Sequence, residues 1–136
     1  MGVFNRNIVD DTYNETDVAL PAADGESHST TIDLGDVDSV GENHELLVSV
    51  PALTVTHLPN ADTLTVAILA GAATDPTAVI ADSVLVMTGA GGAGAAAASV
   101  RFKLPSTCPR YVRVRFTAAG GTGDISAVDA VVGLRF

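Results

Sequence analysis

Gly89-Ala90-Gly91-Gly92-Ala93-Gly94 fits the G-x-G-x-x-G spacing that lets a backbone approach a pyrophosphate, and it follows an apolar run. Glycines alone do not make that site. It also needs a helix N-terminus to receive the phosphates and an acid about 20 residues on for the ribose. Here Ala95 to Ala98 lead straight into a β pattern, and the downstream region reads Pro109-Arg110-Tyr111. The stretch is read as a flexible Gly/Ala loop between strands. His28, His44 and His57 show no i, i+2 or i, i+4 spacing and have no cysteine near them in sequence, so no metal set is expected. Asp33, Asp36, Asp38, Glu42 and Glu45 form an acidic cluster, and Asp36-Val37-Asp38-Ser39-Val40-Gly41 opens like a calcium loop. Val40 stands where the third ligand belongs and Leu47 where the bidentate glutamate belongs, so a solvated acidic loop is expected. G-x-S-x-G is absent, and Cys108 sits between Thr107 and Pro109 with no histidine nearby in sequence. The expectation is a non-enzyme without cofactor or metal.

The elements that would carry these residues are strands. Residues 30–34, 46–50, 63–69, 79–87, 99–104, 111–117 and 125–136 are β-branched or alternating runs, the last with a break point at Gly133. An extended piece around 4–13 would make an eighth. Turn clusters separate the runs at 35–41, 59–62, 71–76, 89–94, 105–109 and 120–123. No window carries helical periodicity with caps. About eight short strands without helices imply an all-β fold, an antiparallel β-sandwich or jelly roll. Residues 29–136 are assigned to the sandwich. Residues 1–28, polar and acidic, are assigned to an extended N-terminal arm or loop segment, with Phe4, Ile8 and Val9 as its apolar anchors on a partner.

Composition narrows the function. With 136 residues and 47% hydrophobic residues, the chain is one globular domain, and with 4% aromatics its core must be aliphatic. One cysteine allows no internal disulfide. The first residues lack the charged and apolar regions of a signal peptide, and no apolar run reaches about 18 residues, so a soluble product made in the cytoplasm is expected. Net charge is −9, with fourteen acids and one base in residues 1–100, against two acids and six bases in 101–136. The acidic bulk argues against nucleic acid as a partner. Arg101 and Lys103 share one side of their strand, and Arg113 and Arg115 one side of theirs. If the two strands form a hairpin, all four cations share a face, which then needs acids from this chain or from a partner.

Ile32-Asp33-Leu34-Gly35, Leu104-Pro105, Arg110-Tyr111-Val112-Arg113-Val114 and Ile125-Ser126-Ala127 together resemble the capsid cement (decoration) proteins of tailed bacteriophages, of the Bordetella-phage cement type. The resemblance spans roughly residues 30–136. It implies a jelly-roll-like fold and a homotrimer on the outside of a virion. It further implies a major capsid protein as partner and a structural role that stabilises the phage head. A carbohydrate- or receptor-binding β-sandwich of a fibre or adhesin is the alternative. It is weakened by the absence of tryptophan and the presence of only two tyrosines.

Overall fold

A run in which every second residue is apolar folds as a strand with one wet and one dry side, and several such runs must stack dry side to dry side. The computed structural model describes residues 15–34, 44–105 and 107–135. Among them are nine strands and no helix: β1 (Thr16–Ala19), β2 (Glu26–His28), β3 (Ile32–Asp33), β4 (Glu45–Val50), β5 (Thr63–Gly71), β6 (Val79–Thr88), β7 (Ala98–Lys103), β8 (Tyr111–Ala119) and β9 (Asp129–Arg135).

Two antiparallel sheets result. Sheet A runs β1-β9-β4-β7; sheet B runs β2-β8-β5-β6, with β3 continuing the place of β2 along β8. Four pairings are nested about the turn at 72–78: β5 with β6, β4 with β7, β2 and β3 with β8, and β1 with β9. The chain is thus one long antiparallel double ribbon. Rolling it up lays β4 beside β9 and β5 beside β8, which completes both sheets. This is a jelly roll.

The alternation decides what fills it. Leu46, Val48 and Val50, Leu64, Val66, Ile68 and Ala70, Val112, Val114 and Phe116, and Ala130, Val132 and Leu134 belong to one buried cluster. Burying each large aliphatic side chain stabilises by roughly 1.5–3 kcal/mol. Phe116 is the largest side chain fully inside.

The N-terminal boundary differs from the sequence reading. β1 and β2 fall inside 1–28 yet are edge ladders of the two sheets, because Val18 and Leu20 point into the core. Strands of three or four residues carry too short a pattern to read. The last strand starts at Asp129, not at 125; Ile125 is fully buried in the preceding turn, its carbonyl accepting from the Val128 amide at 2.9 Å. The strand expected over 4–13, the anchors Phe4, Ile8 and Val9, and most of the acidic 33–45 loop lie outside the described residues.

The Gly-rich stretch is a packed turn rather than a flexible loop. Ala90 donates its amide to the Gly94 carbonyl at 2.8 Å, Gly89 to Asp62 at 2.9 Å, and Ala95 pairs with Leu53. A Cβ on Gly89 would overlap the carbonyls of Leu58 and Pro59, and one on Gly94 those of Leu53 and Thr54. The glycines admit the chain's own backbone. The following alanines form no helix; Ala98 opens β7.

Candidate interaction surface

β7 and β8 are consecutive but do not pair. Leu104 donates to the His44 carbonyl on the sheet A side, whereas Leu34 donates to the Arg110 carbonyl on the sheet B side. The intervening Pro105 and Pro109 preclude a tight hairpin, and buried Leu104 and Cys108 anchor the crossing segment. The four cations therefore do not share a face. Arg101 and Lys103 lie on the outer side of sheet A, Arg113 and Arg115 on the outer side of sheet B.

On sheet B, Arg115 stands across from Ala67 and Arg113 across from Leu69. Both β5 residues point away from the core, yet Leu69 is only 1% and Ala67 only 2% exposed. The long stems of the two arginines cover them. The turn at 72–78 folds back over the same end: the Asp75 carboxylate accepts from Arg113 Nη1 at 2.7 Å, and the Thr74 carbonyl from the Thr31 hydroxyl at 2.8 Å. Arg113 thereby has a carboxylate partner, although its Nε is out of water without a hydrogen-bond partner. Arg115 differs in the first respect. It is half-buried, its Nε is out of water without a hydrogen-bond partner, and no carboxylate among the described residues lies within ion-pair distance. Directly across the ladder is His28. Burial, and then the nearby Arg113, hold this imidazole below its ordinary pKa of 6.5; Arg115 acts the same way, while Glu26 and Asp75 oppose it.

Arg110 adds a third cation, clamped on Asp33 by two hydrogen bonds of 2.7 and 2.9 Å and lying 5.1 Å from the Tyr111 ring centre. The edge strand β6 completes this side with Val79 and Val86 exposed.

Sheet A is organised differently. Glu45 is opposite Lys103 on one side and Arg135 on the other, and Arg101 approaches it at 4.0 Å. Farther along is a shallow groove of about 450 Å³ lined by Ser49, Pro51, Ala97, Ser99, Asp129 and Val131, small or apolar side chains with a single acid. The histidines are not brought together: His28 is on β2, His44 just before β4 and His57 in the segment between β4 and β5. No group of three metal-ligating side chains occurs among the described residues. Cys108 is buried, which pushes its thiol pKa up. No described helix is long and apolar enough to cross a membrane.

Sequence reasoning identified Arg113 and Arg115 and missed His28, Leu69 and Asp75 as their neighbours. Leu69, the one large apolar residue on the outward side that Thr63 and Thr65 begin, was the available signal.

No family model and no curated protein matches the chain. Among solved structures it is similar to a chain of the cowpea mosaic virus top component, naturally occurring empty particles, with a TM-score of 0.45 and 12% identity over 90% of this chain and 80% of that one. It is also similar to the carbohydrate-binding module CBM36 in complex with calcium and xylotriose, with a TM-score of 0.36 and 10% identity over 85% of this chain and 77% of that one.

Proposed function

We propose that the protein is a structural component of a virus particle, a capsid decoration or cement protein that seats on the assembled shell through the outer side of sheet B. Arg115 carries the reading. A cation partly removed from water, with no counter-charge among the described residues, is a group that a partner's charge would stabilise. A carboxylate on a partner would supply that charge, and the exposed Val79 and Val86 would add apolar burial beside it. The resemblance of the C-terminal motifs to phage cement proteins points to the same partner, the major capsid protein, and to a trimer on the virion exterior.

The mechanism is linkage. A ligand that binds only the assembled lattice stabilises it by RT ln(1 + [L]/Kd), and a multivalent ligand strengthens modest contacts through avidity. No chemical step is involved.

The test is co-sedimentation with capsids of the parent virus, together with the melting temperature of the decorated shell. The wild-type chain should pellet with capsids and raise their melting temperature, and Arg115→Glu should abolish both effects while keeping the β-sheet circular-dichroism spectrum. Equal binding by Arg115→Glu would refute the assigned face; failure of the wild type to bind any capsid would refute the function. Glycan-array hits insensitive to Arg115→Glu would instead favour the carbohydrate-binding alternative.

A further inference from the structure

The two edges of sheet A carry opposite charge. β7 forms one edge, and its outward residues there are Ser99, Arg101 and Lys103. β1 forms the other edge, with Asp17 outward and Glu15 two residues before it on the same side. All four charged side chains are described and exposed except for the weak 4.0 Å approach of Arg101 to Glu45. Strands in the sheet alternate in direction from β1 to β7, so β1 of a second copy placed beside β7 would continue the antiparallel pattern.

We infer that copies of this chain associate head to tail, β7 of one molecule pairing with β1 of the next in a sheet continuous across the contact. An antiparallel register that sets Arg101 opposite Asp17 also sets Lys103 opposite Glu15, so two opposite-charge pairs form on one face. The same charges select against the symmetric alternatives. Two β7 edges would bring four cations together and two β1 edges four acids, and like charges directly opposite destabilise a sheet. No described strand pairs with the outer side of β7, which carries no proline or bulge, and its edge charges Arg101 and Lys103 would admit only a strand of opposite charge. Such a contact is heterologous and closes into a ring or continues as a filament, depending on the rotation per copy. The association uses sheet A edges only and is independent of what the sheet B face binds.

A disulfide provides the direct test. Within one molecule β9 and β4 separate β1 from β7, a span of about 14 Å at the usual strand spacing, whereas a disulfide needs Cα atoms within roughly 7 Å. An Arg101→Cys, Asp17→Cys double variant can therefore close that bond only between molecules. Oxidation should yield a ladder of covalent oligomers on non-reducing gels, and sedimentation velocity of the wild type should show self-association. Arg101→Glu with Lys103→Glu should weaken association by about tenfold or more, as two attractive cross-strand pairs become repulsive. Adding Glu15→Lys and Asp17→Lys should restore it. A monomeric wild type at high concentration, no ladder from the double cysteine variant, or a four-charge swap that fails to rescue would overturn the inference.

Discussion

Gly94→Ala, measured beside Gly92→Ala and Gly89→Ala, tests whether the Gly-rich turn is a packing device. Gly92 has a φ of +81° and open space around it, so an added Cβ meets only the left-handed backbone penalty, about 1–2 kcal/mol. Gly89 has no such φ, but its Cβ would overlap two carbonyls of the 51–62 segment, an overpacking cost of roughly 1–3 kcal/mol. Gly94 combines both, a φ of +69° and overlap with the Leu53 and Thr54 carbonyls, for about 2–5 kcal/mol. A domain of this size is typically stable by about 5–15 kcal/mol, so the Gly94 variant should give up the largest share of it while still folding. Urea unfolding followed by far-ultraviolet circular dichroism reads the series. With roughly 3–5 °C of melting temperature per kcal/mol, Gly94→Ala should fall by about 6–25 °C and Gly92→Ala by about 3–10 °C. If Gly94→Ala is no worse than Gly92→Ala, the turn does not pack against the 51–62 segment, and the free-loop reading returns.

Three further outcomes follow from the same geometry. His28 should titrate below 6.5 in an NMR titration, and Arg113→Gln should move its midpoint upward; a wild-type midpoint at or above 6.5 refutes the assigned neighbours. Since the unfolded chain takes up this proton first, the contribution of His28 to stability is intact above 6.5 and is lost as pH falls from there through the lower folded value. Phe116→Ala should cost about 3–5 kcal/mol in urea unfolding, because the largest fully buried side chain leaves a cavity between the sheets; a loss under about 1 kcal/mol would mean that the core collapses around it. Asp33→Asn should cost no more than about 1 kcal/mol despite its two short hydrogen bonds to Arg110, because both side chains are nearly half exposed.

Local alternation determined most of the architecture. Leu64, Val66 and Ile68, or Val112, Val114 and Phe116, announce a strand and its dry side because the side-chain period of a strand is two, whatever the rest of the chain does. All-β content and the stacking of two sheets follow from that. What alternation cannot state is which strand lies beside which. The separation of Arg101 and Lys103 from Arg113 and Arg115 was decided by the rolling of the double ribbon, which sends β7 to one sheet and β8 to the other. The short edges β1 and β2 escape a pattern reading because three or four residues are too few to show alternation, and their place is fixed by ladder bonds to β9 and β8 together with the burial of Val18 and Leu20. The closeness of His28 to Arg115 and of Asp75 to Arg113, and the placing of opposite charges on the two rims of sheet A, join residues distant in sequence. Only the tertiary fold, by fixing register across strands, brings them to one surface.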